Sequence, residues 1–176
     1  PDVVMIGEIR DLETAQAATQ ASLTGHLVLS TLHTNAAASA ATRLIDMGIE
    51  PFLVSSTLSG VMAQRLVRMI CPDCKTELNP RDVKLPKAAN FSKGDKLFHG
   101  SGCRECRNSG YRGRTGLYEL MIMNEELGEK IIQRVASSEL VRIGCTNGMR
   151  LLSEDGWLKV KKGNTTLAEV MRVTAV

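Results

Sequence analysis

Residues 1–70 alternate short apolar runs with Ala-rich stretches of helical texture. Val3-Val4-Met5-Ile6 is continuous and partly β-branched, which predicts a strand covered on both faces. Asp11 is placed to cap a helix from about residue 12 to 24, with Glu13 in its first turn and Gly25 as the stop. A second strand is expected over Leu27 to Leu32. Asn35 then caps a helix ending near Gly48. Pro51 opens a third helix reaching about Met69, with Val54, Leu58, Val61, Met62, Leu66 and Met69 on one stripe. Strand–helix–strand–helix order implies a parallel sheet with helices on its faces, hence an α/β class.

The texture changes twice further on, which suggests three domains: 1–70, 71–116 and 117–176. The middle segment carries Pro72, Pro80 and Pro86 and five glycines between Gly94 and Gly113. It holds little apolar material and reads as a loop-rich knuckle that a metal must organise. From about residue 117 the pattern is helical again. Leu127, Ile131 and Val135 recur at four-residue spacing with Asn124 as a cap, and Thr166 with Glu169 fits a capping box.

Composition narrows the functional classes. The chain has 176 residues, of which 23% are charged and 43% hydrophobic, as in an ordinary globular chain rather than a disordered one. No apolar run approaches the ~20 residues of a membrane-spanning helix. A net charge of +3 does not single out nucleic acid, and 3% aromatics leave few faces for stacking bases. The chain opens Pro1-Asp2-Val3 without an initiator Met or a signal-like segment and runs almost directly into a strand, which suggests an excised fragment.

The strongest chemical signal is sulfur. Cys71/Cys74 and Cys103/Cys106 are two Cys-x-x-Cys pairs separated by 28 residues, and without secretory features they favour a metal over a disulfide framework. Each pair can converge on an ion about 2.3 Å away, and two pairs complete a tetrahedron with no open position: structural Zn²⁺ rather than catalytic. Four thiolates and Zn²⁺ carry a charge of about −2. A redox role for Cys71-Pro72-Asp73-Cys74 is disfavoured because the motif follows a helix instead of opening one. Cys145, in a helical stretch near Ile143, reads as a small core hydrophobe.

Polar residues crowd two strand ends. The first strand runs into Gly7-Glu8-Ile9-Arg10-Asp11, and a carboxylate beyond a buried parallel strand is suited to holding Mg²⁺ or orienting a water near a nucleotide's phosphates. The second ends in Ser30-Thr31-Leu32-His33-Thr34-Asn35, preceded by His26, groups able to hydrogen-bond a phosphate. His26 and His33 are seven positions apart, so in one strand they face opposite sides and do not share a metal. Arg65 falls inside the apolar stripe of the third helix and needs a counter-charge or an anionic ligand. Arg104, Arg107, Arg112 and Arg114 flank the second Cys pair and read as a solvated face around the metal centre.

With these residues in view, the chain resembles the traffic ATPases of bacterial type II secretion and type IV pilus assembly, the secretion ATPase E family. Gly7-Glu8-Ile9-Arg10-Asp11 is similar to the family's Walker-B segment, and Gly25-His26 through Leu32-His33-Thr34-Asn35 to its His box. Ala63-Gln64-Arg65-Leu66-Val67-Arg68, Gly110-Tyr111-Arg112-Gly113-Arg114-Thr115-Gly116-Leu117-Tyr118-Glu119 and the tail from Asp155-Gly156 to Glu169-Val170 also match. The resemblance implies a partial RecA-like P-loop NTPase core, a tetracysteine zinc module and a helical C-terminal part. It implies a hexameric motor, a homo-oligomer, that hydrolyses ATP with Mg²⁺ to drive pseudopilin or pilin assembly. By the same resemblance Glu8 acts on the attacking water or the Mg²⁺ shell, His33 with His26 and Thr34 senses the γ-phosphate, and Arg65 lies near the nucleotide. Inner-membrane platform and cytoplasmic-domain proteins would be partners, at a cytoplasmic site peripheral to the inner membrane, with no nucleic acid. No Gly-x-x-x-x-Gly-Lys-Ser/Thr loop occurs in the chain, so the fragment alone is expected to be inactive. The alternative is a non-catalytic zinc-ribbon module that binds nucleic acid or protein; nucleic-acid binding of that kind would fall steeply between ~50 and ~200 mM salt.

Overall fold

The structure, a computed structural model, describes residues 1–78, 83, 85, 86, 89, 91, 92 and 94–174; Pro80 of the expected knuckle lies outside them. In chain order the elements are β1 (Val3–Ile6), α1 (Leu12–Leu23), β2 (Leu27–Ser30), α2 (Ala38–Asp46), α3 (Pro51–Thr57), β3 (Gly60–Ile70), β4 (Lys75–Leu78), β5 (Leu97–Gly100), β6 (Tyr111–Ile122), α4 (Glu125–Ile132), α5 (Ser137–Thr146), α6 (Leu152–Lys161) and α7 (Leu167–Thr174). Two compact units share the chain: residues 1–63 with 119–149, and residues 64–118 with 150–176. Residues 71–116 therefore fall in the second unit, and 117–176 are divided between the two. Among the described residues no helix is long and apolar enough to cross a membrane.

In the first unit β1 and β2 pair in parallel, Val3 opposite Leu27 and Ile6 opposite Ser30. They are joined by α1, whose N-terminus is capped as the sequence predicts: Thr14 N–H donates to Asp11 Oδ1 at 2.8 Å. Gly25 turns the chain out of the helix at φ +98°. Coverage of the strands on both faces is not found. Val3, Met5, Leu27 and Leu29 are all more than half exposed. A four-residue apolar run carries no polar position to mark an open face, so one-sided and two-sided strands read alike.

Two expected helical stretches are strands. The third helix stops at Thr57, and residues 60–70 form β3, which pairs with β6. Residues 117–122, expected to open the helical tail, are the end of β6. Met123 N–H donates to the Ser59 carbonyl at one end of this pair, and Cys71 N–H to the Gly110 carbonyl at the other. In β3 the inward residues are Val61, Ala63, Arg65, Val67 and Met69, while Met62, Gln64, Leu66 and Arg68 face outward. The two-residue alternation thus replaces the helical stripe on which Arg65 was placed.

The remaining helices of this unit pack through small residues. α3 lies against α4, and α2 and α4 lie against α5. Ala38, Ala40 and Ala41 are buried with Val54, Leu127, Ile131, Leu140 and Ile143. Asn124 Oδ1 caps α4 by accepting Leu127 N–H at 2.9 Å, as expected. Cys145 is exposed rather than a core residue. It follows the buried Ile143 by two positions, about 200° around the helix, which turns it to the opposite side.

In the second unit β4 and β5 pair antiparallel, and α6 packs against α7 with Trp157, Val160, Leu167 and Val170 buried. Only half of the expected Thr166–Glu169 capping box forms: Glu169 N–H donates to Thr166 Oγ1 at 3.3 Å. The Glu169 carboxylate, buried to 2% exposure, instead accepts the Arg68 backbone N–H at 3.0 Å, the Arg68 guanidinium at 2.7 Å and two Arg172 nitrogens at 2.9 and 3.0 Å. Arg68 also stacks on the Tyr111 ring at 4.2 Å, and Tyr111 Oη lies 2.9 Å from Thr166 Oγ1.

Arg172 first, then Arg68, hold the Glu169 carboxyl well below its ordinary range in spite of burial. Because the folded-state value is depressed, the stabilisation is fully present above the ordinary carboxylate pKa and is lost as pH falls below it. Both arginines are half exposed, which screens the pairs, so Glu169→Ala is expected to cost about 2–3 kcal/mol at pH 7. The gap between the urea midpoints of the two proteins should narrow as pH falls from 6 to 3; a constant gap would refute the assignment.

Candidate functional site

β1 leads directly into Glu8, and β2 leads through Thr31 to His33. Parallel pairing places both carboxyl ends side by side. Thr31 zips the two exits together: its Oγ1 donates to the Gly7 carbonyl at 2.7 Å, and its carbonyl accepts Ile9 N–H at 2.9 Å. These bonds bracket Glu8. His33 Nε2 then lies 3.1 Å from Glu8 Oε2, and Arg10 lies 2.6 Å from Glu8 Oε1. Arg10 above all, and His33 after it, hold the Glu8 carboxyl below its ordinary range, so it is ionised at neutral pH. The result is a carboxylate with a cation on one oxygen and an imidazole on the other, open to solvent.

The other expected residues of this region are placed differently from one another. Thr34 is adjacent to His33 and half-buried, its Oγ1 donating to the Ala36 carbonyl at 3.3 Å. His26 is at the far end of β2, four residues or roughly 13 Å from the end that carries His33. Its Nδ1 is 3.1 Å from the Ala21 carbonyl, so that nitrogen bears the proton in a contact that closes α1. Arg65 is half-buried on β3, within the second unit. Asn35 does not cap α2. The helix starts at Ala38, and the N-cap position is Ala37, which has no side-chain cap of its own. Its N–H donates instead to Glu119 Oε1 at 2.8 Å. Neither Thr31 nor Glu119 was singled out from the sequence. Thr31 is one hydroxyl among several at a strand end, and Glu119 was read as helical.

The four cysteines converge in the second unit. Their sulfurs all lie within 4.8 Å of one another. Cys71–Cys103, Cys74–Cys106 and Cys103–Cys106 are separated by 3.9, 3.8 and 3.7 Å. A tetrahedron with zinc–sulfur bonds of ~2.3 Å has edges of ~3.8 Å, whereas a disulfide needs ~2.05 Å, so this donor set fits a metal and not a pair of bridges. Burial pushes the Cys71 thiol up to about 12 and raises that of Cys74. Burial acts on Cys106 in the same sense but is outweighed by the N–H groups of Cys103 and Gly110, 3.2 and 3.3 Å from its sulfur, which bring it down to about 6. Amide donors aimed at a sulfur are the arrangement a bound thiolate requires. Arg104, Arg107, Arg112 and Arg114 are all exposed around this centre, Arg112 pairing with Asp73 at 3.2 Å.

Gly110 holds the centre by close approach. It has φ +75°, and a Cβ on it would lie 2.5 Å from the Gly100 carbonyl oxygen; a Cβ on Gly100 would lie 2.0 Å from that of Gly110. Both clashes are with backbone and cannot be relieved by a rotamer change. Gly110→Ala is expected to destabilise the second unit by about 2–4 kcal/mol and to weaken metal retention against a chelator competitor. Retention equal to that of the unsubstituted chain would exclude this role.

Solved structures show the same fold. The ATPase DotB of Legionella pneumophila is similar over 99% of this chain and 39% of its own, with a TM-score of 0.66 at 22% identity. The family model described as Type II/IV secretion system protein matches residues 1–172, and the chain belongs to that family. It is 53% identical over 176 residues to the type II secretion system ATPase E of Vibrio cholerae and 51% identical over 175 residues to the type II secretion system protein E of Pseudomonas aeruginosa. In each case the match covers 99% of this chain and 35% of the relative. The type IV pilus assembly ATPase PilB of Thermus thermophilus is 46% identical over 178 residues, 99% of this chain and 20% of PilB. The chain thus spans about a third or less of the curated relatives it matches.

Proposed function

We propose that this chain is the part of a secretion or pilus-assembly ATPase that acts on the water attacking the terminal phosphate and reports on the presence of that phosphate. The observation that carries the reading is Glu8 and His33 meeting at 3.1 Å beyond the ends of adjacent parallel strands. Relatives from both secretion and pilus systems are named ATPases, which supports it. ATP with Mg²⁺, when bound by the full-length protein, supplies the phosphoryl group and the charge that must be stabilised. Glu8, kept ionised by Arg10, accepts a hydrogen bond or a proton from the water. His33, on the other carboxylate oxygen, is the group next in line to donate to a phosphate oxygen, with Thr34 beside it. His26, expected to share this role, contacts the Ala21 carbonyl through Nδ1 at the other end of β2.

In this reading the two strands belong to a RecA-like core, the cysteines hold a structural Zn²⁺, and Arg65 lies near the nucleotide. The full-length protein works as a hexamer at the cytoplasmic side of the inner membrane, with platform proteins as partners, and pushes pseudopilin or pilin subunits into a filament. By function the chain divides into 1–70, which carries Glu8 and His33, 71–116, which carries the four cysteines, and a C-terminal part, 117–176. Because the phosphate-cradling loop does not occur in these residues, the chain alone should not turn over ATP. The test is phosphate release by the purified full-length protein. Turnover that depends on Mg²⁺ supports the reading, and none under conditions where nucleotide binds overturns it.

A further inference from the structure

We infer that Glu119 is a positioning residue for the Glu8–His33 pair, acting as the far anchor of the loop that carries His33. The assignment rests on the proposed role of that pair in ATP hydrolysis. The loop leaves β2 at Ser30 and enters α2 at Ala38, so His33 sits midway along a short span with two ends to be fixed. Thr31 fixes the first end through Gly7 and Ile9. At the second end Ala37 has no side chain able to cap the helix, and both Ala37 and Ala38 are fully buried, out of reach of water. A buried N–H in that place needs an acceptor from elsewhere in the fold.

Glu119 supplies it. The residue lies on β6 between Leu117 and Met121, both fully buried, and is itself only 3% exposed. Its Oε1 accepts Ala37 N–H at 2.8 Å across 82 positions of sequence. An acidic group at the start of a nine-residue helix also lies where the helix dipole favours it. With Glu119 in place, the path from Thr31 to Ala37 has both ends tied to strands. Without it, the helix start is released, and His33, four residues upstream, loses its fixed distance to Glu8. A displacement of about 1 Å at a reacting group is enough to cost about a hundredfold in rate.

The test has two parts. On the 176-residue chain, NMR follows the ring resonances of His33, assigned among the three histidines by single substitution. Glu8→Gln should move them in the otherwise unsubstituted chain and leave them unmoved when Glu119→Ala is present, while Glu119→Gln, which keeps an acceptor oxygen, restores the response. In the full-length protein Glu119→Ala should lower kcat about a hundredfold with KM for ATP changed less than about twofold, and Glu119→Gln should recover most of it. If the alanine variant does not fold, Ala37→Pro removes the donor from the other side and is read in its place. Absence of any His33 response to Glu8→Gln in the otherwise unsubstituted chain overturns the pair and this inference together. A response that survives Glu119→Ala, or an unchanged kcat, overturns the inference alone.

Discussion

Chelating the metal is expected to unfold the cysteine-bearing part of the second unit, and the sole tryptophan should report it. Between Cys71 and Gly110 the buried side chains among the described residues are few, and three of them are cysteines, Cys71, Cys74 and Cys106. Hydrophobic burial there cannot offset the conformational entropy of some forty residues at ~1–2 kcal/mol each. Structural zinc sites contribute roughly 10–16 kcal/mol in apparent binding energy, as much as the whole stability of an ordinary domain. Trp157 is buried in α6 of the same unit and α6 packs against β5, so loss of the β4–β5 pairing reaches it. The purified chain should carry about one equivalent of zinc. A tight chelator should shift Trp157 emission to longer wavelength, and zinc should reverse the shift. Cys106→Ser should reproduce the apo state. Less than half an equivalent of metal with all four thiols reduced, and an emission unaffected by chelation, would remove the metal from this account.

Replacing Glu8 with Gln in the full-length protein should lower kcat for ATP hydrolysis by about 10²–10³-fold while nucleotide affinity changes little. Gln keeps the volume and one acceptor oxygen but loses the negative charge, so it neither takes a proton from water nor retains the ion pair with Arg10 at 2.6 Å. General-base assistance is typically worth 10²–10⁴-fold, and these residues contain no Gly-x-x-x-x-Gly-Lys-Ser/Thr loop of the kind that grips a nucleotide's phosphates. His33→Ala should cost less, since it removes a neighbour and leaves the carboxylate. The two effects should not add, because both act on one pair 3.1 Å apart. Phosphate release and nucleotide titration measured on the same preparations separate the possibilities. A kcat within threefold of the unsubstituted protein would mean that Glu8 serves only to pair with Arg10.

Much of this was legible in one dimension because the signals are local. Asp11 and Asn124 mark helix starts through contacts three residues away, and the two Cys-x-x-Cys pairs each set half of a four-thiol cluster able to hold a metal. The parallel strand pair followed from the order of elements, and with it the meeting of Glu8 and His33 at neighbouring strand ends. The helix expected from Pro51 forms as far as Thr57, but its continuation over 58–70 does not, because the apolar residues there satisfy a helical stripe and a two-residue alternation at once. The choice between them is made by pairing with β6, some fifty residues on. The same pairing explains 117–122, where Leu117, Glu119 and Met121 alternate inward.

The sequence by itself therefore determined the chemistry available: an acid and an imidazole after two strands, four thiols in two pairs, and helix ends whose caps lie within a turn. Tertiary structure alone decided which distant groups answer one another. Glu169 meets Arg68 across 101 positions, and Glu119 meets Ala37 across 82. A buried carboxyl must find donors wherever the fold brings them, and no periodicity of the chain encodes a partner that far away.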